Sequence, residues 1–346
     1  MRGSLGELRV GTLRLRPTVA FDSYWRLAAE RQRMFFRRVA GEPGPWTTDP
    51  VLAEHRFTNA YRASDRVSQY LINNVIYGVD TDNVSTVLRV LLFKLFNRAD
   101  TWEAIERRVG VLTRQTFDPR PIDALLDQRM QEGHRLYSAA YIMPSPKLGK
   151  VRKHANHLQL LNRLLRDGSL DRLTEAESLG ELYRLLEAIP SFGPFLAFQF
   201  AIDLNYTEVF GFSEMDFVVA GPGAHDGIAK CFENTSGLSS EDTIRVVTEA
   251  AEECLTALEI DFCDLWGRPL QLIDCQNLFC EVGKYARVMH PELVGRSGRT
   301  QIKQKFRPDP LALDPRYPPK WDAEYAGSLP VAVRPSPGSL AAWRSA

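Results

Sequence analysis

The sequence predicts a mainly α protein, and three observations carry that expectation. Apolar residues recur at three- and four-residue spacing through most of the chain, helix-starting and helix-ending residues bracket those stretches, and strand-like alternation is confined to 8–15. With 346 residues and 44% apolar side chains, the chain is long enough to bury a large core. Residues 1–20 read as an N-terminal extension, 21–306 as the helical body and 307–346 as a proline-rich tail, extended because proline cannot donate to a helix.

The first helix, 21–39, places Tyr24, Leu27, Ala28, Phe35 and Val39 near one face and leaves Arg31, Arg33, Arg37 and Arg38 for solvent or phosphate. Gly41 and the prolines after it end that helix in a loop pinned by Trp46. Asp49 caps, and Pro50 opens, a long helical region expected to run to Tyr77. Helices are expected at 82–97, 101–109, 121–131, 151–165 and 179–188, then, beyond a tight turn at 190–193, at 194–205, 224–232, 240–259 and 270–288. The segment 133–150, rich in glycine, proline and lysine, reads as a crossing between two helical lobes that flank a cleft.

Charge is balanced, with 43 basic and 43 acidic residues. Contact with nucleic acid must then come from local clusters such as 147–154 and 296–307 rather than from a global positive field. No apolar run reaches membrane-spanning length and the first residues lack a signal-peptide core, so the expectation is a cytoplasmic protein without a membrane partner. Cys231, Cys254, Cys263, Cys275 and Cys280 are odd in number and widely spaced, which fits buried reduced thiols. No zinc or iron–sulfur spacing occurs, and neither metal nor cofactor is expected.

Four segments carry chemistry. In Ile189-Pro190-Ser191-Phe192-Gly193-Pro194, a tight turn lets a second helix start with its N–H groups facing a phosphate, and Asp216 follows at a distance that lets it return to the same cleft. In 56–70, helical spacing would put Asn59, Arg62 and Arg66, and likewise Arg62, Asp65 and Gln69, on one polar stripe flanked by Tyr61 and Tyr70, a mixture suited to a base edge or to a salt-bridged solvent face. Gly221 and Gly223 permit close approach to a ligand ahead of His225, in a segment that is not a P-loop because no Gly-Lys-Ser/Thr follows. Within 274–285, Glu281 and Lys284 are spaced to pair.

Together, the Trp46 loop, the 56–70 motif, the Phe192-Gly193-Pro194-Phe195 hairpin, 216–224 and the 277–285 helix resemble the alpha-glutamyl/putrescinyl thymine pyrophosphorylases, related to the helical domain attached to 5-hydroxymethyluracil DNA kinases. The resemblance covers roughly 20–290 and implies a helix-hairpin-helix DNA-glycosylase-like fold that acts on hypermodified pyrimidines of phage DNA. It implies Asp216 as the catalytic residue. The residue patterns above add a candidate base pocket of Asn59, Tyr61, Arg62, Asp65, Gln69, Gly221, Gly223 and His225, and candidate DNA contacts from Arg66, Ser191, Phe192, Gly193, Lys284, Lys150 and Arg152. Ser191 stands where the hairpin usually has glycine. Phe195 stands where bifunctional glycosylases carry a Schiff-base lysine.

The main expectation is therefore a monofunctional glycosylase, in which Asp216 stabilises the sugar cation, directs water to C1′ and leaves an abasic site, in the setting of antiphage defence. The alternative is substitution of an activated 5-methylene of the base by an amine, with Asp216 as proton acceptor and Arg62 and Lys284 on the departing phosphate. A DNA-binding module without catalysis is the third expectation.

Overall fold

A computed structural model describes residues 6–10, 13–140, 142–308 and 313–321. It is mainly helical, and its contacts divide it into two units. One comprises the described residues up to 65, 220–315 and Trp321; the other comprises 66–219 and 316–320. The chain thus passes between units at 65–66 and 219–220, whereas 133–150 lies inside the second unit.

The first unit is organised by three helices, α1 (Val19–Val39), α11 (Pro222–Cys231) and α14 (Leu272–Met289). Thr18 caps α1 by accepting from the Ala20 amide, and its own amide donates to the Cys231 carbonyl, which locks the start of one helix to the end of another. Aromatic residues fill the space between them: Phe21 meets Phe232 at 4.7 Å and Tyr24 meets Phe279 at 4.6 Å. Helices α11 and α14 approach so closely that glycine is obligatory. A Cβ at Gly227 would lie 1.8 Å from the Phe279 carbonyl oxygen, and one at Gly223 would lie 2.2 Å from Cys280 Sγ. Gly223, expected beside a ligand, thus serves helix packing.

The strands are β1 (Leu8–Val10), β2 (Leu13–Pro17) and β3 (Phe232–Asn234), antiparallel in the order β1-β2-β3. Only the first pair had a signal in the sequence. The third is too short for alternation to show. The expected helix 240–259 is two helices, α12 (Ser240–Glu249) and α13 (Ala251–Ala257). The Trp46 loop is pinned as expected: the indole donates to the Glu42 carbonyl at 2.7 Å and Arg38 covers the ring. Just before the proline-rich tail, 304–306 pairs with 54–56, and of the tail itself 309–312 and 322–346 lie outside the described residues.

The long helix expected from Pro50 to Tyr77 is broken. Helix α2 (Pro50–Glu54) ends, residues 55–61 run as a loop, and a 3-10 turn at Arg62–Ser64 leads to α3 (Arg66–Tyr70) and a π-helical turn at Leu71–Ile76. Tertiary bonds to the loop's backbone outcompete local helix formation. The Arg56 amide donates to the Gln304 carbonyl, Arg31 donates to the Thr58 carbonyl, and Glu281 accepts from the Thr58 amide. In the π turn, Arg89 donates to the Val75 carbonyl at 3.0 Å while pairing with Glu106 and stacking on Trp102.

The second unit is centred on α4 (Asn83–Phe96), whose residues are buried from Ser85 to Phe96 except Thr86. Around it lie α5 (Ala99–Val109), α6 (Pro119–Gln131), α7 (Lys153–Arg166), α8 (Ser169–Thr174), α9 (Leu179–Glu187) and α10 (Pro194–Leu204). Lys94 on α4 reaches Asp203 on α10 at 2.7 Å in a buried ion pair. No helix among the described residues is long and apolar enough to cross a membrane.

Candidate functional site

Within the first unit, the 55–65 loop forms a hydrogen-bonded knot against α1 and α14. Arg31 donates to Asn59 Oδ1 at 2.8 Å, Asn59 donates from its amide nitrogen to the Ser64 carbonyl at 2.7 Å, and the Asn59 backbone N–H donates to Asp65 Oδ1 at 2.8 Å. One turn on, the Arg62 backbone N–H donates to Asp274 Oδ1 at 2.8 Å, and the second Asp274 oxygen accepts from the Gln271 amide to close a capping box on α14. Tyr61 donates from its hydroxyl to the Arg268 carbonyl at 2.7 Å.

These bonds gather Asn59, Arg62 and Asp65 without a helix, so the stripe expected from helical spacing is replaced by a folded loop. Gln69 is separate: its side chain exchanges two hydrogen bonds with the Arg316 backbone in the second unit. Arg66 is exposed at the start of α3.

Burial governs the electrostatics of this knot. Desolvation pushes the Asp65 carboxyl up to about 6, against the Asn59 N–H and the nearby guanidinium charges that hold it down. Desolvation likewise lowers Arg31, with Asp65 and Glu281 opposing. Lys284, expected on DNA phosphate, turns inward. It pairs with Glu281 at 2.6 Å, donates to the Arg56 carbonyl at 2.8 Å and lies over the Phe57 ring.

The same unit contains a cavity of about 920 Å³ lined in part by Arg26, Glu30, Arg33, Asp49, Glu259 and Tyr285. Charges of both signs edge it, and the Tyr285 hydroxyl donates to Asp49 at 2.6 Å. None of the residues expected to form a base pocket lines this cavity. Gly221 is the N-cap of α11, and His225 on that helix meets Ser240 of α12 at 2.7 Å.

In the second unit the predicted hairpin is present as α9, a turn and α10. Ser191 adopts φ 71°, the left-handed region where glycine is at ease, and its hydroxyl is buried without a hydrogen-bond partner. Gly193 caps α10 with Pro194 in its first turn, and both are exposed, while Phe192 is buried against Phe200. Asp216 is exposed in the turn after α10, its amide donating to the Ser213 carbonyl at 3.3 Å. Lys150 is exposed, and Arg152 pairs with Asp127.

Among the described residues, one group capable of holding a metal ion has no counterpart in the sequence expectations: Asp123 and Asp127 on α6 with the buried His154 on α7, whose ligand atoms lie within 4.8 Å of one another. The two aspartates are four residues apart on one helix face, which is the signal that was available. Arg152 and His154 already balance Asp127 there.

Comparison with known proteins gives a family model described as the helical domain of 5-hmdU DNA kinase, matched by residues 18–295. The 5-hmdU DNA kinase of Bacillus phage SP10 is 28% identical over 324 residues, covering 86% of this chain and 50% of the relative. The chain thus spans about half the length of that curated relative. No solved structure matches significantly. These findings overturn the expectation of a monofunctional glycosylase that leaves an abasic site, because the matched family and the relative carry the name of a kinase, not of a base-excising hydrolase. The name coincides with neither excision nor amine substitution, and it stands nearer to base modification.

Proposed function

We propose a function from one premise: the chain belongs to the family of the 5-hmdU DNA kinase helical domain. We infer that it handles DNA containing 5-hydroxymethyldeoxyuridine during base modification, binding the strand and presenting the modified pyrimidine while the base stays attached to its sugar. The extent of the match carries this reading, since 18–295 takes in every described α-helix from α1 to α14. No Gly-Lys-Ser/Thr occurs anywhere in the 346 residues, so the residues support work on the DNA base better than a Walker-type nucleotide site.

The hairpin supports DNA contact of the helix-hairpin-helix kind. A left-handed turn residue, an exposed glycine and the positive end of the α10 dipole together suit a phosphate oxygen. Asp216 is the acid–base candidate: an exposed carboxylate can accept a proton from the 5-hydroxymethyl oxygen when that oxygen is phosphorylated, or from an amine that replaces it once activated.

The test uses the full chain and matched duplexes that differ only in thymine or 5-hydroxymethyluracil. The expected result is binding about tenfold tighter to the hydroxymethylated duplex, the discrimination that one well-placed hydrogen bond supplies. Mass spectrometry of the same incubations, with ATP and with the phosphorylated base, should show change only on polymeric DNA. Equal affinity for the two duplexes, or release of free base, would sink the reading.

A further inference from the structure

Between Glu132 and Asp167 the sequence holds seven lysines and arginines and no aspartate or glutamate, in a chain whose overall charge is zero. The middle of that stretch, 142–152, carries two of the most exposed aliphatic side chains among the described residues: Ile142 is 87% exposed and Val151 fully so. A large apolar group at full exposure is ordinary on a loose loop. This loop is not loose.

Asn156, buried on α7, accepts from the Leu148 and Lys150 amides at 3.0 and 3.1 Å and donates to the Lys150 and Arg152 carbonyls at 2.8 and 3.0 Å. Next to it, His157 donates from Nε2 to the Pro144 carbonyl at 2.8 Å, so its Nδ1 accepts from the Tyr137 hydroxyl at 2.9 Å. Burial lowers His157 to about 4, which keeps the ring neutral and this tautomer fixed at physiological pH. Met143 and Pro146 are buried beneath, Gly149 takes the positive φ of the bend, and Lys153 sits 4.0 Å over the Tyr137 ring.

Two adjacent helix residues therefore hold the loop at Pro144 and again at 148–152, and Val151 lies within the second span. Of the charges around it, Lys147 and Lys150 are exposed, while Asp127 of α6 faces inward to Arg152 and His154, with Asp123 also close to His154. The outward charge is basic.

We infer that this loop is a DNA-deforming element, Lys147 and Lys150 seating on backbone phosphates and Val151 entering the duplex as an apolar wedge beside them. A rigid basic mount with an exposed aliphatic tip is the arrangement by which proteins part a base step, and the cost of unstacking is met by the phosphate contacts. An acidic protein surface would satisfy the lysines but gives no use for a fully exposed valine beside them. The inference rests on the proposed action on DNA, and it adds a site for distorting the duplex that lowers the cost of extruding the modified base.

The experiment uses the full chain and a duplex containing 5-hydroxymethyluracil beside 2-aminopurine, whose fluorescence rises when it unstacks. Affinity is measured across a salt series. The parent should bind and raise the fluorescence. Lys147→Gln with Lys150→Gln should flatten the slope of log affinity against log salt by about 1.8, from about 0.9 per phosphate contact. Val151→Ala should leave that slope unchanged and lose most of the fluorescence rise, and, because Val151 makes no buried contact, thermal melting should match the parent. A parent that binds no DNA refutes the proposed function itself. A parent that binds, with both variants matching it in slope and fluorescence, overturns the wedge alone.

Discussion

Replacing Asp65 by asparagine should stabilise the protein at alkaline pH and leave it unchanged at acid pH. Burial in the 55–65 knot raises this carboxyl from 3.8 to about 6, a difference of roughly two units, or about 3 kcal/mol at most. The raised value means that the folded state holds the proton more tightly than the unfolded chain does. Its favourable contribution is present below about pH 4, declines as pH rises between the unfolded value and about 6, and above that the ionised carboxylate leaves the fold carrying the full penalty. Asparagine does not titrate, and its amide oxygen still accepts from the Asn59 N–H that Asp65 holds at 2.8 Å. It forfeits attraction to Arg31 and Arg62 and relieves repulsion from Glu281, so the net gain is about 1–3 kcal/mol at pH 8.

Urea unfolding of parent and variant at pH 4.5 and pH 8 reads this directly as a midpoint difference that opens with pH. A variant with the parent's pH dependence, or one weaker than the parent at pH 8, would refute burial as the cause. On the proposed function, Asp65→Asn should also lose preference for the hydroxymethylated duplex, which the binding assay measures on a variant known to be folded.

Other expectations concern packing and backbone. Ser191→Gly should raise the melting temperature by about 2–4 °C, since a left-handed residue with a side chain costs roughly 1–2 kcal/mol and glycine returns only part of that as chain entropy; a lower melting temperature would count against the turn geometry. Gly227→Ala should cost at least about 3 kcal/mol or abolish soluble expression, because its methyl would overlap the Phe279 carbonyl, and parent-like melting would contradict the close approach of α11 and α14. Lys94→Met should cost about 3–5 kcal/mol by stranding buried Asp203, and adding Asp203→Leu should restore most of it. If the double variant is no better than the single, the ion pair is not what holds α4 to α10.

Legibility followed the range of the interaction. Caps and periodicity are local, so Asp49 before Pro50 and the hairpin around Gly193 could be read from neighbouring residues. The break after Glu54 could not, because the groups that win the 55–65 backbone from a helix are Arg31, Asp274, Glu281 and Gln304, which are remote in sequence. For the same reason Gly223 looked like a place for a ligand. Its spacing to Gly227 shows two small residues four apart on one helix, but the partner that requires them lies on α14, and only the folded chain brings Cys280 and Phe279 there.

The functional correction has a different origin. A tight turn opening a second helix, followed by an aspartate, describes how a chain approaches a phosphate and brings a carboxylate near a nucleotide; it says nothing about which bond of that nucleotide is altered. Excision at C1′ and modification at the 5-methylene call on the same motif, and they differ in what surrounds the base. The polar groups of the knot of Asn59, Arg62 and Asp65 are held by remote partners rather than by a helix, and we propose this knot as a candidate for reading the pyrimidine. An enzyme that must hold a pyrimidine without cleaving it needs donors and acceptors for the base edge and 5-substituent more than it needs water directed at the sugar. Two variants therefore separate the layers. Asp65→Asn should alter which duplex is preferred, whereas Asp216→Asn should preserve that preference and slow product formation by at least about a hundredfold, the low end for a positioned acid–base group. If Asp216→Asn turns over at the parental rate, the carboxylate is only part of the turn, and the chemistry must be sought among residues outside the hairpin.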